Sequence, residues 1–213
     1  MGYWADCAAF LGQYWHHTKQ TGSVWPSSSF LGRALASEMA RQPRGPARIL
    51  EVGPGTGVVT KQIAQRLGPD DQFDVVELND RFVEILRQRL AEEEVFRCRK
   101  DQIQLIHGPV EQVAGASAYD FIISGLPLNA FKTEQVKEVF RVFKRLIKPG
   151  GVLSYFEYVL VRPLQMPLVG REGRRKLARI GRIVGHYIRK GQFRQQQVWL
   201  NVTPAYVHHL RLK

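Results

Sequence analysis

The chain has 213 residues, 44% of them hydrophobic, and its 31 Lys and Arg against 19 Asp and Glu give a net charge of +12; that length accommodates one domain with a sizeable core. Two distant cysteines, Cys7 and Cys98, exclude a cysteine-rich zinc site or a disulfide framework and point to a reducing compartment. No apolar run reaches the roughly 18 residues of a membrane span, and Met1, Gly2, Tyr3 and Trp4 do not begin a secretory signal, so the expectation is a cytoplasmic protein, free or peripheral on the inner face of a membrane.

From Trp4 to Trp15, apolar residues at Trp4, Cys7, Ala8, Leu11, Tyr14 and Trp15 share one face of an N-terminal amphipathic helix. Such a helix suits either packing on the domain or an interfacial position with its aromatics at lipid headgroup level. Thr21 to Ser29 is a turn-forming run whose serines can cap the next helix, Phe30 to Arg41. Gln42 to Pro46 then leads into the first strand.

That strand carries Ile49, Leu50, Glu51 and Val52, and it is followed by Gly53, Pro54, Gly55, Thr56 and Gly57. Glycines at alternate positions let the chain bend sharply and leave bare peptide for a ligand to lie against. Val59, Ile63, Ala64 and Leu67 continue as a helix, stopped by Gly68 and Pro69. Strand, glycine bend and helix make the nucleotide-cradling start of an open α/β sheet. The second strand, Phe73 to Val76, ends at Glu77, where an acid can accept both hydroxyls of a ribose. Glu51 does not fit a dinucleotide site, because an acid beside the bend would repel a pyrophosphate. It suits a ligand carrying an ammonium and a sulfonium.

Glu51 to Gly57 with Glu77 resembles the cofactor signature of class I S-adenosylmethionine (SAM)-dependent methyltransferases. The resemblance implies that Glu51 helps hold the methionine end, that Gly53, Gly55 and Gly57 pass beneath it, and that Glu77, with Leu78 beside it, takes the ribose. It also implies a Rossmann-like sheet of seven strands, mostly parallel. The remaining elements fit that layout: helix Arg81 to Glu94, strand Ile103 to His107, strand Tyr119 to Ile123, helix Thr133 to Ile147, Lys148 to Gly151 as a break, and strand Val152 to Tyr158. Val198 to Leu210 reads as the last two strands in a hairpin. After Gly108, where class I enzymes place an acid for the adenine amino group, stands Pro109, which leaves the adenine to the backbone around Val110.

Three further segments resemble the soluble bacterial phospholipid N-methyltransferases: Gly22 to Ser28, the loop Ser124 to Leu128, and the turn holding Trp199, Asn201, Pro204 and Ala205. The resemblance implies that Ser27, Ser28 and Ser124 border the cofactor and that residues 1–46 supply helices and a lid to a core spanning 47–213, within one structural domain. Nucleobase methyltransferases place Asn or Asp, two residues, Pro and an aromatic in that loop; here Ser124 and Pro127 keep the spacing, and Leu128 cannot stack on a base. Buried aromatics in a central strand belong mostly to the core, which leaves Tyr158 and Glu157, at the mouth end of the fifth strand, as the catalytic candidates.

Residues 159–213 hold 12 of the basic residues and 1 acid, so nearly all the net charge lies in the last quarter. Arg171 to Lys190 combines Arg174, Arg175, Lys176, Arg179 and Arg182 with an apolar stripe through Leu177, Ile180, Ile183 and Val184. A basic amphipathic helix reads as a membrane-surface or nucleic-acid element, and its stripe can equally cover the sheet. His208 and His209 lack a third ligand, so no metal site is expected. The combined expectation is a SAM-dependent transfer of methyl groups to phosphatidylethanolamine at an anionic membrane surface. The rivals are an ornithine-type aminolipid, ribosomal RNA adenine, and a lipid- or RNA-binding module without turnover.

Overall fold

The short apolar runs become parallel strands, and the glycine and proline breaks become the turns between them. The computed structural model describes residues 28–41, 45–158, 171–201 and 204–212; the expected Trp4 to Trp15 helix and Ser27 lie outside them. Seven strands, β1 (Arg48–Val52), β2 (Gln72–Glu77), β3 (Ile103–His107), β4 (Tyr119–Ser124), β5 (Ile147–Tyr158), β6 (Gln192–Val198) and β7 (Ala205–Leu210), form one sheet in the order β3-β2-β1-β4-β5-β7-β6. β1 to β5 are mutually parallel, whereas β7 is antiparallel to both neighbours, so β6 points the same way as the parallel strands. From β1 the chain winds outward to β3 and then returns to the other side of β1 as β4. That reversal opens a crevice at the carboxyl ends of β1 and β4, where ligands of such sheets bind.

Six helices flank the sheet among the described residues: α1 (Ser29–Leu35), α2 (Val58–Ala64), α3 (Asp80–Glu92), α4 (Glu94–Arg97), α5 (Thr133–Leu146) and α6 (Arg171–Gly191). Alternation along the strands divides the core. Leu50, Val52 and Ile122 face α5 and α6, and Ile49, Phe73 and Phe156 face α1 and α2. The stripe on α6 therefore covers the sheet, with Ile180 and Val184 fully buried, and its basic face points outward. At the amino edge Asp74 accepts a hydrogen bond from the Tyr119 hydroxyl at 2.7 Å and an ion pair from Arg48 at 2.8 Å.

Three boundaries differ from the sequence reading. The helix expected from Phe30 to Arg41 ends at Leu35, because Ser37–Ala40 tightens into a 3-10 turn. β5 begins at Ile147, and Lys148 to Gly151 form an irregularity within it, with Gly150 in the left-handed region at φ 80°. β6 lies upstream of Val198. Its run Gln192-Phe-Arg-Gln-Gln-Gln-Val alternates in exposure at the sheet's edge, where polar residues are tolerated and the apolar signal is weak.

Phe140 on α5 is fully buried, stacked on Tyr187 of α6 at 4.2 Å and edge-on to Phe143 and Tyr155. Truncation leaves a cavity that a fixed helix pair cannot close, so Phe140→Ala is expected to lower unfolding free energy by about 3–5 kcal/mol and Phe140→Leu by much less. Urea denaturation of the three proteins measures this; equal midpoints would show that α6 is not anchored there.

Candidate active site

The glycine bend is a backbone that only glycine accommodates easily. Gly53, Gly55 and Gly57 have φ of 70°, 57° and 81°, all left-handed. A Cβ on Gly53 would stand 2.7 Å from a Leu126 methyl, and one on Gly125 of the neighbouring loop would stand 2.4 Å from the Gly53 carbonyl oxygen. The two loops thus touch through bare peptide. The bend is also tied from outside: the Gly53 amide donates to the Val76 carbonyl at 3.0 Å, and Arg89 of α3 donates to the Thr56 carbonyl.

Glu77 joins the end of β2 to this bend. Its carboxylate accepts the amide hydrogens of Gly55 at 3.1 Å and of Leu78 and Asn79 at 2.9 Å. Burial raises its pKa, and those amides, with His107, oppose the rise. Gly53, Gly55, Glu77, Leu78 and Val110 all line one recess. Its other walls include Phe82, Pro109, Glu111, Leu126 and Pro127. Five of the residues expected at the cofactor are therefore brought together.

Glu51 lies outside that lining. It alternates with Leu50 and Val52, so its side chain shares the face of Ile49, toward α2. It is wholly buried, and neither carboxyl oxygen has a hydrogen-bond partner. Burial pushes its pKa up to about 8; the Thr60 hydroxyl opposes this from outside hydrogen-bonding geometry, and the nearby Glu77 adds to it. An unpartnered buried acid beside the glycine bend leaves a place for a cation. These residues fit a cofactor that carries an ammonium, a sulfonium and a ribose.

The other candidates are dispersed. Gly57 caps α2. Ser124, buried at the end of β4, accepts the Leu126 amide hydrogen at 3.4 Å and is not in the recess wall. Ser28 caps α1 by accepting the Leu31 amide hydrogen at 3.2 Å, and its own amide donates to Asn201 at 3.0 Å. Glu157 and Tyr158 are half-buried at the carboxyl end of β5, pointing to opposite faces; Tyr158 packs with Phe156 on the face that Glu51 shares. Leu128 is buried in the core behind the loop, while Leu126 and Pro127 reach the recess.

Glu111 is not among the residues that the sequence pattern singles out, because the acid's usual place, directly after Gly108, is held by Pro109. It stands in the 3-10 turn Val110–Gln112, and both carboxyl oxygens are buried without a hydrogen bond. Burial raises its pKa to about 7, with Glu138 of α5 adding to the rise and Arg145 opposing it. The signal available in the sequence was an acid set between Val110 and Val113, two residues that a core needs.

A family model described as a methyltransferase domain matches residues 49–151. The ornithine lipid N-methyltransferase of Singulisphaera acidiphila is 33% identical over 150 residues, covering 70% of this chain and 76% of that protein. The hybrid PKS-NRPS synthetase poxE of Penicillium oxalicum is 29% identical over 69% of this chain, which spans only 3% of that much longer protein. Among solved structures, the O-methyltransferase TomG from Streptomyces achromogenes in complex with SAM aligns with a TM-score of 0.60 at 19% identity, over 85% of this chain and 79% of that one. PH0226 protein from Pyrococcus horikoshii aligns with a TM-score of 0.64 at 13% identity, over 85% and 89%. Likeness at such identities speaks for the fold alone.

Two outcomes follow from the acids. Glu51 is mostly protonated at neutral pH and must ionise to face a cation, so SAM affinity is expected to rise from about pH 6 to about pH 9, with proton release on binding near pH 7. Because its folded pKa lies above the unfolded one, its contribution to folding stability falls as pH rises through the window from 4.5 to about 8. Glu51→Gln should flatten both profiles, as calorimetry and pH-dependent melting measure; a flat wild-type affinity profile would remove the role given to Glu51. Glu111→Ala should weaken S-adenosylhomocysteine binding about tenfold and leave S-inosylhomocysteine, which lacks the amino group, unaffected, as a charge-assisted hydrogen bond would require. Equal losses for both ligands would place Glu111 outside the adenine contact.

Proposed function

As this chain belongs to the class I SAM-dependent methyltransferases, we propose that it methylates the amine of a membrane aminolipid, with phosphatidylethanolamine and its partly methylated forms as substrates. The cofactor is SAM, which supplies a methyl group on a cationic sulfur. Glu51, the glycine bend, Glu77, Leu78, Val110 and Glu111 are the residues that would hold it.

The observation that carries the reading is the loop after β4. Leu126 and Pro127 present apolar surface to the recess, and Leu128, at the place where nucleobase enzymes carry a stacking aromatic, is aliphatic and turns into the core; the one ring this loop brings to the recess wall, Phe131, is itself packed in the core. An apolar rim suits the glycerol and acyl carbons that accompany a lipid amine, and it keeps water from the reacting atoms. The likeness to an ornithine lipid N-methyltransferase favours a second reading within the same class, in which the amine belongs to an acylated amino acid. The basic tail supports an anionic surface as partner, and by the same reading the enzyme works as a peripheral protein on the cytoplasmic side of a membrane.

The amine must be neutral to react. Glu157 and Tyr158 point to opposite faces, so only one of them can serve a site shared with Glu51, and that face selects Tyr158. Its ring can place an ammonium by cation-π contact and its hydroxyl can take part in the proton's departure.

Incubation with methyl-labelled SAM, phosphatidylethanolamine, ornithine lipid and ribosomal RNA, followed by separation of products, tests the reading. Label is expected in phosphatidylethanolamine and its methylated forms. Label confined to ornithine lipid would select the second reading, and label confined to RNA would overturn both. Tyr158→Phe is expected to lower kcat at least tenfold with the KM for SAM unchanged; unchanged kcat would remove Tyr158 from the chemistry.

A further inference from the structure

We infer that Trp199 and Leu200, which directly follow β6, are the part of the protein that enters an anionic lipid surface. The inference rests on the aminolipid reading and identifies where the protein meets the bilayer that holds its substrate.

Isolated exposed apolar residues are ordinary. Trp199 and Leu200 differ in being adjacent, 64% and 68% exposed, and the most exposed of the large apolar side chains among the described residues. Their position follows from topology. β6 runs in the direction of β1 to β5, so the turn that follows Val198 lies at the carboxyl edge of the sheet, on the same side as the glycine bend and the loop after β4. The hydrogen bond from the Ser28 amide to Asn201 holds the turn beside the first residues of α1, where Phe30 is also exposed.

The charge where α6 meets this edge is mainly positive, with Glu134 the acid among the cations. Lys176 lies near enough to Lys132, at the start of α5, for the two to repel, and Arg179 and Arg182 share a cleft with Thr133 and Glu134. Because α5 begins just beyond the loop after β4, the first half of α6 borders the same carboxyl edge. Arg175, Arg179 and Arg182 are exposed there. An indole settles at the headgroup level of a bilayer while neighbouring cations meet anionic phosphates. Nucleic acid would also attract these cations and could stack on Trp199. It gives nothing to Leu200, whose whole side chain is aliphatic, whereas acyl chains accommodate it. The lipid surface is therefore the occupant that accounts for both residues.

The test uses the full chain and sedimentation with vesicles of phosphatidylethanolamine and phosphatidylglycerol. The double variant Trp199→Ser, Leu200→Ser is expected to partition at least tenfold less than wild type, with unchanged SAM affinity and unchanged methylation of phosphatidylethanolamine dispersed in detergent. Arg175→Glu with Arg179→Glu should reduce partition onto these vesicles and erase its dependence on phosphatidylglycerol content. Wild-type partition by the Trp199 and Leu200 variant overturns the inference, as does wild-type protein that stays off vesicles or binds only single-stranded RNA. Methylation in detergent without vesicle binding would sink this inference and leave the substrate reading intact; vesicle binding through the turn with no aminolipid methylated would do the reverse.

Discussion

Glu77 gathers the amide hydrogens of Gly55, Leu78 and Asn79 onto one buried carboxylate, and the geometry of the recess depends on that gathering. Ordering a bend of left-handed glycines is costly, since glycine loses more conformational freedom on ordering than any other residue, and these bonds add to the ties from Val76 and Arg89 in offsetting that cost. The carboxylate fixes the bend to the end of β2, and the backbone carbonyl of the same residue accepts the Gly108 amide hydrogen at 2.9 Å, which ties in the turn after β3. Three loops are thereby placed by one residue. The same amides offset part of what burial costs the charge, so the acid is held where a sugar would meet it.

Glu51 is the opposite case. It sits near the carboxyl end of a central strand, paired in register with Val75 and Ile123, with no hydrogen-bond partner for either oxygen. A valine there would pack against α2 without this penalty. Sites of this kind carry local instability that the surrounding fold must outweigh, and they concentrate where a ligand supplies the missing partner. The two acids thus divide the work. Glu77 shapes the bend in advance, and Glu51 is left with unpaired oxygens that, under the function we propose, the cationic cofactor would meet.

How much of this the sequence disclosed depends on whether a residue's role is local. The bend was legible, because three alternate glycines demand the left-handed backbone that each of them adopts. The strands β1, β2 and β4 were legible, because burial on both faces makes a largely apolar run, and β3, at the sheet's edge, showed through Ile103, Leu105 and Ile106. β6 was not, since an edge strand with glutamines on it carries little apolar signal. The break at Ala36 was equally hidden, because helix spacing continues through a 3-10 turn at first glance. Ser28 could be read as a cap, yet its tie to Asn201 joins residues 173 apart, and no local pattern records such a contact. Glu111 is hidden for a similar reason: what surrounds it comes from α5, and only the packed chain reveals an acid enclosed by Glu138, Arg145 and the recess.

The distribution of charge has its own logic at the carboxyl edge. Glu51, Glu77 and Glu111 lie inside, beneath loops that exclude water, where a charge acts over a short distance and is little screened. The arginines of α6 lie outside on a solvated face, where each contributes little alone and their number matters. Mixed together, the two sets would neutralise one another as surface ion pairs. Kept apart by the apolar residues of the loop after β4 and by α5, the inner set is free to attract a cationic methyl donor, and under the function we propose the outer set would attract the phosphate of a lipid acceptor. A protein that must bring a cation and an anionic surface to one mouth needs that separation, and the parallel sheet supplies it by delivering every connecting loop to the same edge while helices of opposite character cover its two faces.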